Sequence, residues 1–227
     1  MINLQKRTFM NIQEYIINDV KPLQVTDAVK VSQNIFSQLT YSHLPVMEGD
    51  TYIGCLSETD THCFETGCSV MDVKYALDTF FVKIDTHWLD VLEAFAQHDC
   101  NVMPVLDLEN KYLGYYELKD ILQLFNDSPF LYESGAVIVL EKGTTDYSFS
   151  EITQIVESND SSLYGCFISN YKDHLTQITI KVSPENVNQI LQTFRRYGYE
   201  VVSAAEEDSY LDNLKERSDY LNKYLNI

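Results

Sequence analysis

Ser42 to Asp60 read SHLPVMEGDTYIGCLSETD, and Asn101 to Asp120 read NVMPVLDLENKYLGYYELKD. The two stretches are copies of one pattern. SHLPV (42–46) lines up with NVMPV (101–105) at an offset of 59, and GCLSETD (54–60) with GYYELKD (114–120) at an offset of 60. Each copy runs from an apolar residue, Pro and Val through a polar turn to an apolar residue, Gly, two strand residues and an acid. The turn is Glu48-Gly49-Asp50 in the first copy and Asp107 to Lys111 in the second. Strand, polar turn, strand is the signature of a β-hairpin. Asp60 and Asp120 then fall where a helix begins, a place that favours acids by capping and by the helix dipole.

A helical pattern precedes each hairpin. Val29, Ser32, Phe36 and Leu39 share one face in the first copy, and Leu89, Leu92, Phe95 and Ala96 share one in the second. Thr26-Asp27 and Asp85-Thr86 are the expected N-caps. Each copy is thus short strand, helix, strand, strand, helix. The two fill residues 12–126 and bury their sheets against each other.

Asn126-Asp127-Ser128-Pro129 breaks the pattern, with Pro129 ending the preceding helix. Beyond it the order changes. AVIVLE (136–141) reads as a strand, and Phe149, Ile152, Ile155 and Val156 mark a helix started by Ser148 or Ser150. Residues 163–169 and 175–183 pair around a turn at 170–174, with Ile178, Ile180 and Val182 on one face. Pro184 is expected in the first turn of a second helix whose inner face is Val187, Ile190, Leu191 and Phe194, and Gly198 closes it. EVVSAA (200–205) supplies a fourth strand. The order βαββαβ predicts a ferredoxin-like sandwich, so the fold class is α+β. Residues 208–227 place Leu211, Leu214, Ser218, Leu221 and Leu225 at heptad spacing. That segment reads as a helix that either pairs with another helix or folds back on its own domain.

The chain has 227 residues and a formal net charge of −18, which disfavours nucleic acid and anionic membrane surfaces as partners. Before residue 131 there are 8 basic and 19 acidic residues, and after it 8 and 15, so the charge is no acidic tail. No signal peptide and no run of about 18 apolar residues is read. Five scattered cysteines fit reduced thiols, and hence a cytoplasmic protein. His62, Cys63 and Cys68 lack a second pair at ligand spacing, so no metal site is expected. Cys100 with His98 or His87 is a nucleophile pair on paper only, and no Gly-rich phosphate loop exists. The expectation is a protein without catalytic residues. Tyr197 and Tyr199 beside Arg195-Arg196 form one aromatic and basic cluster, read first as a helix C-terminus.

The paired units resemble a tandem of CBS domains, a Bateman pair, over residues 1–70 and 71–127. The βαββαβ segment, 133–207, resembles an ACT domain, and the combination with a C-terminal helix at 208–227 is similar to acetoin-utilisation type CBS proteins. The resemblance implies a regulatory protein that binds an adenosine-containing ligand, an AMP-like nucleotide or S-adenosylmethionine, between the copies. It also implies signalling through a homodimer. The family motif is Gly, two apolar residues, Ser or Thr, two residues, then Asp, the Asp accepting hydrogen bonds from ribose. Gly54, Ser57 and Asp60 match it. The second copy keeps Gly114 and Asp120 but has Glu117 at the hydroxyl position, with only Lys119 close by to offset it. The first cleft therefore ranks above the second. Leu44, Pro45 and Ile53, with Thr26 at the end of the first short strand, are the expected adenine contacts, and Pro104 is the second copy's counterpart of Pro45. Glu58 and Glu117 weigh against a highly charged ligand such as bare ATP. In the ACT-like segment Tyr147 stands where the family's Gly is expected and Gly143 lies four residues too early, which disfavours amino-acid binding. The alternative function is a ligand-free assembly module.

Overall fold

The computed structural model describes residues 11–204 apart from Thr66. The expected helix at 208–227 lies outside the described residues. The chain divides into two compact units, up to Phe125 and from Asn126.

The first unit holds the two copies. One comprises β1 (Leu23–Gln24), α1 (Val29–Phe36), β2 (His43–Glu48), β3 (Thr51–Ser57) and α2 (Glu58–Cys63). The other comprises β4 (Val82–Lys83), α3 (Trp88–Gln97), β5 (Val102–Leu106), β6 (Tyr112–Glu117) and α4 (Leu118–Asn126). Each makes a three-stranded sheet in the order β1-β2-β3 or β4-β5-β6, the first pair parallel and the hairpin antiparallel. The repeated Pro-Val followed by Gly holds the same register in both, Val46 opposite Gly54 and Val105 opposite Gly114.

The expected helix faces and caps need three corrections. Helix α3 buries Val91 and Phe95, whereas Leu89 is exposed and Ala96 faces solvent. The face is rotated so that Val91 and Phe95 repeat Ser32 and Phe36 of α1 at the same offset of 59. Counting leucines misses this because Val91 is the residue the packing uses. The expected N-caps do different work. Asp27 accepts the Gln24 N–H at 2.8 Å and Thr86 the Lys83 N–H at 3.0 Å, each closing the turn out of its short strand. Ala28 and His87 occupy the cap positions instead. At α2 the cap is Ser57, with Asp60 in the first turn.

One long-range feature has no local sequence signature. Ile12, in a short 3-10 helix ahead of β1, packs in the core of the second copy with Phe80, Val82 and Tyr116. Val70 and Val73, in the 3-10 helix ahead of β4, pack in the core of the first with Leu23, Leu44 and Leu56. Each copy's lead-in segment therefore completes the other copy.

The second unit runs α5 (Pro129–Tyr132), β7 (Ala136–Gly143), α6 (Phe149–Ser158), β8 (Leu163–Lys172), β9 (Leu175–Val182), α7 (Val187–Arg196) and β10 (Glu200–Ala204). Its sheet has the order β10-β7-β9-β8 with every neighbour antiparallel. Alternate residues Ile138, Leu140, Ile178, Ile180 and Val182 pack on Ile152, Ile155, Ile190 and Phe194 of the helices. Ser148 caps α6, accepting from the Glu151 N–H. Pro184 stands outside α7, which starts at Val187 after Asn186 in a left-handed conformation. A two-residue turn there lets Ser161 donate to the Glu185 carbonyl at 2.6 Å. Gly198 follows α7 at φ +78°. Arg195 and Arg196 end α7 as expected of a helix C-terminus, while Tyr199 belongs to the core and packs edge-on against Phe194. The Tyr147 ring packs against the same core beside Phe149, filling the turn between β7 and α6.

Candidate functional site

The two copies of the motif sit at the ends of their hairpins, where strand passes into helix. In the first copy His43 lies directly opposite Ser57, so their side chains share one face of the sheet. The Asp60 N–H donates to Ser57 Oγ at 3.0 Å, and that hydroxyl donates to Asp60 Oδ2 at 2.8 Å. Ser57 and Asp60 are thus locked together at the start of α2, and the other Asp60 oxygen remains an acceptor.

The neighbouring wall comes from the second copy's lead-in. Cys55 and Asp78 exchange backbone hydrogen bonds of 2.8 and 2.9 Å. Gly54, at φ +147°, permits this approach: a Cβ there would stand 2.9 Å from the Asp78 carbonyl oxygen. Asp78 then reaches His43, with Nε2 and Oδ2 3.3 Å apart, while His43 Nδ1 lies 2.9 Å from Ser42 Oγ. Phe80 meets the imidazole edge-on at 5.2 Å and stacks on His98 at 4.6 Å. Burial pushes the His43 pKa down, and the nearby Asp78, Asp60 and Asp99 oppose that without overcoming it. A neutral ring facing a carboxylate carries its proton on Nε2, so Nδ1 accepts from Ser42.

The second motif is occupied by the protein's own side chains. Val102 and Glu117 stand where His43 and Ser57 stand in the first. Tyr41 donates to Glu117 Oε1 at 2.8 Å, and Lys119 Nζ lies 2.5 Å from Oε2. The Tyr41 hydroxyl is 3.1 Å from that of Tyr115, which donates to Asp19. The Tyr115 hydrogen bond holds the Asp19 pKa below the usual carboxylate range, and burial raises both phenols. The result is an ionised acid with neutral phenols. Gly114, at φ +153°, again admits a lead-in, here Ile17, which exchanges bonds of 3.0 and 2.9 Å with Tyr115. A pocket of about 400 Å³ opens on this network, lined by Leu39, Tyr41, Asn101, Glu117 and Lys119 among others. Asn101 joins the copies: its Oδ1 accepts the Ser42 N–H at 2.8 Å and its N–H donates to Ser42 Oγ at 2.9 Å.

Of the expected adenine contacts, Leu44 and Ile53 share one core, and Thr26 and Pro45 lie elsewhere. Leu44 is 1% exposed and packs in the first core with Val46 and Leu56, because strand alternation points it at the helices. Ile53 packs against the same core. Thr26 is exposed in the turn after β1, among residues whose backbone partners are Cys68 to Met71. Pro45 and Pro104 are buried opposite Cys55 and Tyr115. Asp120 occupies the first turn of α4. The residues that do meet the motifs, His43, Asp78, Phe80, Asp19, Tyr41 and Asn101, come from the other copy's lead-in and from the start of each central strand. Their one sequence signal is position, since Tyr41-Ser42 and Cys100-Asn101 precede the two Pro-Val strands at the same offset.

Residues 70–127 match the model of the CBS domain family. The chain carries a CBS domain. An inosine-5′-monophosphate dehydrogenase of Methanocaldococcus jannaschii is 25% identical over 120 residues, which is 52% of this chain and 24% of that protein. The chain therefore spans about a quarter of the length of the curated relative it matches. A CBS domain pair/ACT domain protein from Thermotoga maritima is 19% identical with a TM-score of 0.46, over 51% of this chain and 96% of that one. The CBS domains of a transcriptional regulator from Streptococcus pneumoniae are 17% identical with a TM-score of 0.45, over 51% and 98%. CBSX2, solved in complex with AMP, is 15% identical with a TM-score of 0.41, over 50% and 93%.

Outside the CBS motifs the chemistry is sparse. Among the described residues no group of three His, Cys, Asp or Glu is placed to hold a metal ion. Cys100 is buried and its thiol is pushed up to about 12, far from a reactive thiolate. Among the described residues no helix is long and apolar enough to cross a membrane.

Proposed function

We propose that this is a non-catalytic regulatory protein that binds an adenosine-containing ligand at the first CBS-like motif. The observation that carries the reading is the intact Ser57–Asp60 pair on the strand-to-helix turn, walled by Asp78 and Phe80 of the second copy's lead-in. Asp60 accepts from the ribose hydroxyls. An AMP-like nucleotide and S-adenosylmethionine are the ligand classes. Residues 1–70 and 71–127 are the two CBS domains of the pair. The second unit, 133–207, is a ferredoxin-like, ACT-type domain, a reading supported by a βαββαβ order whose last strand lies beside its first. Together with residues 208–227 it serves as the pairing surface of a cytoplasmic homodimer through which ligand binding is signalled. A ligand can shift the arrangement of the copies only by binding one arrangement better than another. Isothermal titration with AMP, ATP and S-adenosylmethionine tests the reading. Heat with at least one of them, lost in Asp60→Ala, is expected; no heat at high micromolar ligand refutes it.

A second reading, an assembly module with no ligand, is favoured by one observation. Glu117 of the second motif is already bonded to Tyr41 and Lys119, and Tyr41 to Tyr115. A thermal-shift screen separates the two, because a ligand that favours the folded state raises the midpoint by mass action.

A further inference from the structure

We propose that His43 is the specificity-determining group of the first cleft, admitting a phosphate-bearing adenosine ligand only by taking up a proton. The inference rests on the ligand site proposed at Ser57 and Asp60. Its starting observation is an asymmetry between the copies. The facing pair His43–Ser57 of the first becomes Val102–Glu117 in the second, so the fold does not require a histidine there.

The surroundings of the ring define its charge chemistry. His43 is 8% exposed, so its neighbours and not bulk water decide whether it carries charge. Asp78 faces it from the lead-in, Asp60 from the first turn of α2 and Asp99 from the turn between α3 and β5. Ser42 Oγ lies on its other nitrogen, Phe80 covers its edge, and His98 stands behind Phe80. An anion beside Ser57 and Asp60 therefore meets three carboxylates. Of the two histidines around that point, His43 is the one on the same sheet face as Ser57, and His98 stands behind Phe80.

The hydrogen-bond network can accept the extra proton. With Nε2–H already directed at Asp78, the new Nδ1–H donates to Ser42 Oγ. The Ser42 hydroxyl then turns to Asn101 Oδ1, 3.1 Å away, and no donor is left without a partner. Proton uptake thus places positive charge at the anion while the tie between the two copies is kept. By linkage, a ligand that binds with one added proton gains affinity by at most about tenfold per pH unit as pH falls.

The test compares adenosine, AMP and the methyl ester of AMP by isothermal titration of the full chain between pH 6 and 8. The ester is a useful probe because its single negative charge does not titrate in this range. The expected result is an ester affinity that rises toward pH 6 by up to about tenfold per unit, with adenosine unchanged. In His43→Gln the ester's pH dependence disappears while adenosine still binds. A pH-independent ester affinity in the unaltered protein overturns the proposal, and a slope that survives in His43→Gln does so too. If adenosine, AMP and the ester all fail to bind at every pH, this proposal falls, and the ligand reading beneath it falls only when ATP and S-adenosylmethionine give no heat either. Should His43→Gln not fold, the His43 imidazole can be titrated by NMR in the unaltered protein. Its pKa is expected to rise when the ester is added, and an unchanged value overturns the proposal.

Discussion

Replacing Gly114 by alanine places a methyl carbon 2.3 Å from the Ile17 carbonyl oxygen and 2.9 Å from Ile16 Cγ2, at a backbone φ of +153°. An L-residue held in that region is strained by about 1–3 kcal/mol. The clash is with backbone, so the Ile17 segment must move away. That breaks the paired bonds between Ile17 and Tyr115, 3.0 and 2.9 Å, each contributing about 1 kcal/mol. The expected loss is therefore about 3–5 kcal/mol, a large part of the stability of an ordinary domain. At Gly54 the same substitution meets the Asp78 oxygen at 2.9 Å and Leu77 Cβ at 3.1 Å, a smaller displacement. Its loss should be about 2–3 kcal/mol, mostly the strain. Urea unfolding followed by circular dichroism measures both, with the slope unchanged and the midpoint lowered more for Gly114→Ala. A loss below about 1 kcal/mol for Gly114→Ala would refute the reasoning. It would mean that the motif glycine does not serve the close approach of the exchanged lead-in.

Leu44→Ala should cost about 2–5 kcal/mol in the same assay, as expected of a side chain in the first core, whereas a cleft-lining residue would change stability little. Tyr41→Phe removes the hydroxyl that donates to the largely buried Glu117 and should destabilise by about 1–3 kcal/mol, read as a lower urea midpoint. His43 has a folded-state pKa below its unfolded value of 6.5, so its contribution is present above pH 6.5 and is lost as pH falls through the folded value. Urea midpoints between pH 8 and 5 should therefore fall less steeply in His43→Gln than in the unaltered protein. Lys142 lies 2.9 Å from Glu151 and 4.0 Å from the Tyr199 ring centroid, and its hydrogen bond lowers the Glu151 pKa. That stabilisation is present above pH 4.5 and is lost as pH falls through the lower folded value. Lys142→Met should remove about 0.5–1 kcal/mol of it at pH 7, with a smaller difference below the transition, where only the contact with the Tyr199 ring remains.

What was legible in the sequence is what repeats or alternates. The two Pro-Val hairpins and the inward row Ile178, Ile180, Val182 follow from local periodicity, and the structure holds both, whereas the pairing of each motif glycine with a valine emerges only in the structure. The helix starts were harder, because Asp27 and Thr86 satisfy a turn one step before the cap and leave the cap to Ala28 and His87. Pro184 likewise sits in a turn ahead of α7, where Asn186 adopts the left-handed conformation.

The site was legible only in its motif. Ser57 and Asp60 are three residues apart and declare themselves. Asp78 reaches His43 and Asp19 reaches Tyr115 only because each lead-in crosses to the other copy, and such pairings across tens of residues leave no local mark. Leu44 was misplaced for the opposite reason: its hydrophobicity suits a cleft and a core equally, and only strand alternation decides between them.

On the proposed reading the first motif binds the ligand and the second, whose Glu117 is bonded to Tyr41 and Lys119, does not. Parallel calorimetric titrations of Asp60→Ala and Asp120→Ala with the adenosine compound that binds the unaltered protein test it most directly. Binding is expected to be lost in Asp60→Ala and kept in Asp120→Ala. Binding that survives in Asp60→Ala and disappears in Asp120→Ala would contradict it.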